Sequence, residues 1–542
     1  MGVLGLVVLM IKPLPPPPKT LLSCFPLGVG QGQEGVCLLL CMGPHRILLD
    51  CGLKDLSALL DCGQAPADWV FCSHAHEDHG RGLRELHQTF PTLPIYSSET
   101  TAQLLPLLWS DEQPEPNWCQ GLSWQSPHSL AENLTLQLIP AGHLPGAALS
   151  LFTYTLPTRT YRVLYTGDFC LSHLQLVEGV DLQSLRGLAP DLLIIESTLG
   201  DRRHPHRRQQ EKHLLCLIEQ AIVNHRSVLL PLPPLGLGQD ILKLLRSHHQ
   251  FTGRELDIWV QGSMVNYCNA YLERLDIFPL SVQNFAKHQP LFWDEKIYPH
   301  LRPLTAIPFI PEGPSIVLTT DWRSPWPQTA PFPGDWTVLC AEAAPPMPPL
   351  PALPQLQIET YTLSDHSDGR NTTQLIHNLR PQHIIFVHGS SRAIQSLTSL
   401  EELQSRYQLH SPQPHTWVEL PIGDRFVQPS LPLPVRYEGE VNEQNQFISL
   451  TLDKSIVEDP RWLPFADTGL IEARWLGEEL VLRGISQQEL LRHPQTEKRL
   501  EDLDCCRNCR YYQQQRCHNG ASPLAGLLVT PDGYCPVFAS ES

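Results

Sequence analysis

A layered α/β fold is predicted by three features of the chain. Strand-like and helix-like runs alternate over most of its 542 residues, which is the pattern of sheets covered by helices. Several strand-like runs are apolar without a gap (WVFC, VCLLLCM, LLII), as in strands buried on both faces. The residues that close these runs are drawn almost entirely from His, Asp and Glu. Asp50 follows ILL, His74 follows WVFCS, His143 follows LTLQLIP, Asp168 follows VLYTG, Glu196 follows LLII and His388 follows IIFV. Ligands of α/β sheets bind outside such strand ends, so residues far apart in sequence can converge there. One aspartate in such a place is a cap or a turn residue; six ends of one chemical kind point to a site.

The densest of these ends is Trp69 to Gly82, WVFCSHAHEDHGRG. Three imidazoles and two carboxylates fall within six residues, followed by a Gly-Arg-Gly turn before a helical pattern resumes. Imidazole and carboxylate are zinc ligands, and a catalytic zinc site keeps one position open to water. The alternative for this stretch alone is a solvated His-rich turn.

Along the chain, MGVLGLVVLMIKPLPPPP has an apolar run too short to span a bilayer. It lacks a preceding positive charge and a small-residue cleavage site, so residues 1–20 are read as an extension and the protein as cytoplasmic, with no membrane association. Cys24 to Asp50 reads as three strands with a glycine-punctuated turn. A second αβ region opens at Gly200 with a helix rich in Arg202, Arg203, Arg207, Arg208 and Lys212. It ends in the proline-rich AEAAPPMPPLPALPQ, a linker composition. The first domain is therefore expected in two parts, 21–200 and 356–428, with residues 201–355 inserted between them. Residues 432–500 form β-like runs of a small accessory domain, and 501–542 a Cys-rich tail.

Composition limits the function. Hydrophobic content of 42% and charged content of 18% are ordinary for a globular protein. With 39 basic against 56 acidic residues the net charge is −17, so a nucleic-acid ligand must be held by a local patch and by metal, not by overall charge. Of 16 cysteines, eleven are scattered singly between Cys24 and Cys340 and five cluster at Cys505, Cys506, Cys509, Cys517 and Cys535. The scattered ones read as small buried thiols. The cluster reads as metal ligation in a reducing compartment, with redox or buried thiols as the alternative.

HAHEDH matches the HxHxDH signature of metallo-β-lactamase-fold hydrolases. The chain resembles their β-CASP branch, the nucleases of RNA processing and DNA repair that include RNase J and the pre-mRNA 3′-end cleavage enzymes. ILLDCG, HAHEDH, PAGHLPGA and YTGDF resemble motifs 1 to 4 of the wider family. ESTLGDR (196–202), SDHSD (364–368) and FVHG (386–389) resemble motifs A, B and C of the branch. The resemblance implies a metallo-β-lactamase αββα sandwich with an inserted β-CASP α/β domain. It also implies two zinc ions: His74, His76 and His143 would hold the first, Asp78, His79 and His388 the second, and Asp168 would bridge them, with Asp50 orienting ligands from behind. His366, free of metal, would protonate the leaving oxygen, held in place by Glu196. Three stretches of the insert depart from the family pattern: Leu237 stands where an arginine is usual, TTDWRSPWP (319–327) replaces a glycine-rich loop, and the proline-rich linker replaces a GYQ…GT-GR segment.

The function so implied is zinc-dependent phosphodiester hydrolysis, with RNA, or else single-stranded DNA, as substrate. A homo-oligomer is compatible with it. The alternatives are a hydrolase of small esters or thioesters and a catalytically inactive RNA-processing subunit. Cys506-x₂-Cys509-x₇-Cys517-x₁₇-Cys535 fits a Cys₄ zinc site, and its spacing and neighbouring aromatics also resemble single-cluster high-potential iron–sulfur proteins. A further Zn²⁺ or a 4Fe–4S cluster is expected there.

Overall fold

The computed structural model describes residues 15–423 apart from 32–33, 62, 110–117, 306–308, 310, 312, 322–331, 333 and 343–352, and beyond them parts of 439–484 and 506–539. Two seven-stranded sheets and one six-stranded sheet make up the larger of two units, Met1–Phe426. In the first sheet Val418–Glu419 and Leu22–Val29 lie at one side. Val36–Met42, His45–Leu49, Trp69–Phe71, Ile95–Ser98 and Gln120–Leu122 follow in that order. The second sheet runs Gln408–His410, His383–Val387, Leu192–Glu196, Thr160–Tyr165, Ala148–Thr155, Leu134–Pro140 and His128–Ala131.

Strand periodicity shows how the two sheets are used. Leu38, Leu40 and Met42 join Phe152, Val163, Ile194 and Ile385 in one core shared by both sheets. Phe71 meets Phe152 edge-on across it, with ring centroids 6.2 Å apart. The alternate residues Cys37, Leu39 and Cys41, and on the second sheet Leu164, Leu193 and Ile195, face a second core that includes helix residues Leu83, Leu86, Leu375 and Leu379. Successive side chains of a strand point to opposite faces, so both sheets are covered on both sides: helix, sheet, sheet, helix. Each fully buried leucine contributes roughly 1.5–3 kcal/mol by burial, and the ungapped apolar strands are the sequence signature of that double coverage.

The six-stranded sheet is parallel throughout, in the order His300–Pro303, Asp257–Gln261, Ser315–Thr319, Ser227–Pro231, Trp336–Ala341 and Leu356–Tyr361. Its last strand corrects the expected boundary. Leu356–Tyr361 pairs with Trp336–Ala341 from Leu356↔Trp336 to Tyr361↔Ala341, so the chain leaves this sheet after Tyr361 and not at residue 355. The proline-rich composition before it marked a linker within the sheet region, not the end of it. Among the described residues, no helix is long and apolar enough to cross a membrane.

Residues Val427–Ser542 form the second unit, with three two-stranded sheets among its described residues: Gly439–Gln444 with Phe447–Leu452, Ile471–Leu476 with Glu479–Gly484, and Tyr512–Gln513 with Arg516–Cys517. Cys506, Cys509 and Cys517 are buried, and Cys506 and Cys517 share a small cluster with Tyr512. Cys505 and Cys535 lie outside the described residues, as does the extension 1–14.

A histidine pair at the edge of the second sheet makes folding sensitive to acid. His383 Nε2 lies 3.0 Å from the Pro421 carbonyl and His383 Nδ1 3.0 Å from His410 Nε2. The carbonyl can only accept, so the Nε2–H of His383 donates to it, and Nδ1 is left to accept from His410. Burial, and then the charge of His383, push His410 down to about 4. The unfolded imidazole titrates near 6.5, so the unfolded chain binds the extra proton between these values and stability falls as pH drops through that window. Wild-type unfolding midpoints in urea are expected to fall from pH 6.5 to 4, and His410→Gln to flatten that slope; an unchanged slope would exclude the pair as its source.

Candidate metal centre

The strand ends converge as the sequence predicts, and backbone hydrogen bonds between loops hold them there. Asp50 N–H donates to Phe71 O at 2.8 Å, Ala148 N–H to Ser73 O at 3.0 Å, Ser197 N–H to His388 O at 2.7 Å and His388 N–H to Val29 O at 2.7 Å. Asp50 and His388 take the left-handed backbone conformation, with φ of 57° and 50°. Such conformations in non-glycine residues cost energy and cluster at functional sites. Glycine is required close by: a Cβ on Gly52 would stand 1.6 Å from the Asp78 carbonyl oxygen, so only a bare backbone lets the Asp50 strand end pass under the turn that carries Asp78 and His79.

Four donor groups result among the described residues; two of them, His143 with Asp365 and His366, and Asp168 with Glu196 and His366, share His366. His74, His76, His143 and Asp168 each offer an atom, all within 4.8 Å of one another, and Asp78, His79 and His388 form a second such group. Asp168 stands between them. Its Oδ2 is 3.5 Å from His74 Nε2, 3.4 Å from His79 Nε2 and 3.8 Å from His143 Nε2, and its Oδ1 is 3.4 Å from His388 Nδ1. His76 Nδ1 is 3.1 Å from His74 Nε2 and 3.2 Å from His143 Nε2. His388 Nε2 is 3.1 Å from Asp78 Oδ2.

These donors fit a cation. His79 Nε2 and Asp168 Oδ1 are buried without a hydrogen-bond partner, and an unmet buried polar atom is costly. Three imidazole nitrogens crowd together at hydrogen-bond distance while their other nitrogens are engaged elsewhere. A divalent ion accounts for both facts, since each such atom becomes a ligand. Burial and the neighbouring imidazoles His79, His76 and His143 hold His74 well below its usual pKa against the pull of Asp168. It is therefore in the neutral form that metal ligation needs.

Behind the donors lies a set of orienting contacts. Asp50 is fully buried and accepts from Ser73 N–H at 2.6 Å, Ser73 Oγ–H at 2.8 Å, His79 Nδ1 at 2.7 Å and Tyr165 OH at 2.5 Å. His143 Nδ1 donates to Asp365 O at 2.9 Å, and His76 Nε2 to Leu235 O at 3.2 Å. The second carbonyl comes from the segment of the six-stranded sheet, which thereby reaches the donor cluster. Such contacts fix the tautomer and orientation of imidazole ligands.

His366 and Glu196 sit beside the cluster. Glu196 receives His366 Nδ1 at 2.9 Å on Oε2 and Phe169 N–H at 2.8 Å on Oε1. Burial lowers the pKa of His366, but the charge and hydrogen bond of Glu196, with Asp168 and Asp365, outweigh it and push it up to about 10. Thr198 Oγ donates to Glu196 Oε2 in a short hydrogen bond and lies 2.9 Å from His388 Nδ1, linking the His366–Glu196 pair to the group that contains His388.

Every histidine, aspartate and glutamate expected from the sequence is at this centre. The sequence pattern does not single out Ser73, Tyr165, Thr198, Asp365 and the Leu235 carbonyl, although Ser73 lies in the quoted WVFCSHAHEDHGRG stretch and Tyr165, Thr198 and Asp365 lie inside the quoted motifs. The five basic residues at the start of the second αβ region do not share one environment. Arg207 is buried and bonded to Asp240 Oδ2 at 2.6 Å, Ser364 O at 2.6 Å and Glu211 Oε1 at 3.1 Å. Arg202, Arg203, Arg208 and Lys212 are exposed.

Comparison with known proteins agrees with this geometry. Residues 45–227 match the beta-lactamase superfamily domain, and residues 355–406 match the Zn-dependent metallo-hydrolase RNA specificity domain. An uncharacterised protein of Synechocystis is 55% identical over 537 residues, covering 96% of this chain and 97% of its own. A protein of Methanocaldococcus jannaschii named "Probable RNase MJ4" is 29% identical over 43% of this chain and 59% of its own. The Arabidopsis cleavage and polyadenylation specificity factor subunit 3-I is 24% identical over 69% of this chain and 60% of its own. The matches thus span about three fifths of the last two proteins. With both domains matched in order and the histidines and carboxylates of the strand ends gathered at one centre, the chain belongs to the β-CASP branch of the metallo-β-lactamase-fold nucleases.

Proposed function

We propose that the protein hydrolyses phosphodiester bonds of RNA with two zinc ions at this centre. The observation that carries the reading is the pair of donor groups joined by Asp168, with His366 beside them and bonded through Nδ1 to Glu196. His74, His76 and His143 would hold one ion, Asp78, His79 and His388 the other, and Asp168 both. Zinc, when bound, supplies Lewis acidity toward the phosphodiester and lowers the pKa of water.

The chain's own residues do the rest. Asp50, Asp365 O and Leu235 O fix the imidazoles. His366 presents Nε2 to the cleft because Nδ1 is committed to Glu196, and it gives its proton to the leaving oxygen as the phosphorus–oxygen bond breaks. Water contributes the new oxygen on phosphorus, so the products are one hydroxyl end and one phosphate end. Exposed Arg202, Arg203 and Arg208 would pair with backbone phosphates. Residues 201 to about 361 would grip the substrate as the inserted domain. Cys506, Cys509, Cys517 and Cys535 would hold a separate Zn²⁺ or a 4Fe–4S cluster that staples the C-terminal segment, which is too short to fold on a hydrophobic core alone.

The deciding experiment is elemental analysis of anaerobically purified protein, joined to turnover assays on labelled RNA, single-stranded DNA and a thioester panel. The expected result is two zinc ions per chain beyond any tail metal, with cleavage of RNA that a chelator abolishes and zinc restores. Thioester turnover without RNA cleavage, or a centre that binds no metal, would overturn the reading.

A further inference from the structure

We propose that Asp365 reads the ribose next to the scissile bond, accepting a hydrogen bond from the 2′-hydroxyl of the nucleotide whose O3′ leaves. The inference rests on the phosphodiesterase reading above and names the group by which that site would tell RNA from DNA.

Asp365 precedes His366 in SDHSD and turns its carboxylate to the same side of the loop, with Oδ1 3.8 Å from His366 Nε2. At that distance the two do not hydrogen-bond each other. Among the described residues no other side chain donates a hydrogen bond to this carboxylate, whereas Asp50, Glu196 and Asp240 nearby are each bonded to defined donors. Its position is nevertheless set. His143 Nδ1 pins the Asp365 carbonyl at 2.9 Å, and Gly236, held at φ +99°, leaves room beside Oδ2, where an added Cβ would come to 3.3 Å. Only glycine takes that conformation easily. The carboxylate, 14% exposed, therefore lies beside the nitrogen that would protonate the leaving group. Leu144, Leu176 and Leu237 line the adjoining hollow together with His143 and Gly236.

A carboxylate beside a phosphodiester is repulsive unless the substrate brings a donor to it. The chemistry of RNA supplies one at the right place. When O3′ leaves, the vicinal 2′-hydroxyl of the same ribose lies next to the oxygen that receives the proton from His366 Nε2. The two neighbouring protein groups then match the two neighbouring ribose oxygens, the imidazolium donating to O3′ and the carboxylate accepting from the 2′-hydroxyl. An O5′ leaving group has no such neighbour, and DNA leaves the carboxylate unpaired. Sites that bind a substrate hydroxyl reject the analogue lacking it for this reason.

The test uses a short RNA whose cleavage position has been mapped, compared with the same RNA carrying a single 2′-deoxy nucleotide on the 5′ side of that position. Wild-type protein is expected to cleave the all-ribose substrate about 10- to 100-fold faster, the range for a hydrogen bond to a charged group. Asp365→Ala is expected to bring the ratio toward unity, and Asp365→Asn, which keeps the volume, to lower it, both with wild-type zinc content. A wild-type ratio near unity overturns the proposal, and so does a preference that survives in Asp365→Ala. Loss of zinc from the Asn variant would make Asp365 a ligand instead, and also overturns it. Absence of cleavage of any RNA by the wild-type protein removes the phosphodiesterase reading itself, a result distinct from cleavage that ignores the 2′-position.

Discussion

Asp168→Ala is expected to strip metal from both donor groups and to reduce RNA cleavage by well over the ~100-fold that loss of an outer-shell partner costs. Among the described residues no other carboxylate pairs with donors from both groups: His74, His79 and His143 surround Oδ2, and His388 lies beside Oδ1. Removing the carboxylate takes away the shared anion and leaves a buried nest of imidazoles with a lower affinity for any cation. Asp168→Asn separates charge from shape, since it keeps the volume and one carbonyl oxygen but not the negative charge; it should retain less than the wild-type two equivalents. Elemental analysis checks both variants, with circular dichroism to show that the fold persists. Full zinc content in Asp168→Ala would show that the two groups bind independently and that the bridging role is wrong.

How much of this was legible follows from the residue types involved. The two seven-stranded sheets could be read because strands covered on both faces must be apolar without interruption, as VCLLLCM and LLII are. The convergence of the donor residues could be read because imidazoles and carboxylates at the ends of such strands have few other uses. What stayed hidden was of two kinds. Leu235 and Asp365 orient His76 and His143 through main-chain carbonyls, and a carbonyl leaves no trace in the residue type that carries it. Ser73, Thr198 and Tyr165 act through hydroxyls, common in loops and strands for many reasons, and only their distances to Asp50 and Glu196 single them out. Arg207 stands next to Arg208 in sequence, yet a helix turns each residue about 100° from the last. Arg207 thus faces Asp240 and Glu211 inside while Arg208 faces water. The strand Leu356–Tyr361 was assigned past the boundary because proline-rich composition marks a linker without saying which sheet the chain enters next.

His366→Ala is expected to slow RNA cleavage by about 10²–10⁴-fold, the usual contribution of a positioned general acid, and to leave zinc content unchanged. His366 is committed on Nδ1 to Glu196 at 2.9 Å, so a single nitrogen is left to donate, and His366 lies outside the His74, His76, His143, Asp168 group and the Asp78, His79, His388 group. The same variant should lose far less on an activated aryl phosphodiester, whose phenolate leaves without protonation, because the only missing group is the proton donor. Glu196→Gln should resemble it in part, and the double variant should be little worse than His366→Ala, since residues that act as a unit are not additive. Two outcomes would break the assignment. Equal losses on RNA and on the aryl ester would mean that His366 stabilises the site rather than the leaving oxygen. A fall in zinc would place it among the ligands, and the grouping of donors around Asp168 would then have to be redrawn to include the Asp168, Glu196 and His366 set that also lies within 4.8 Å.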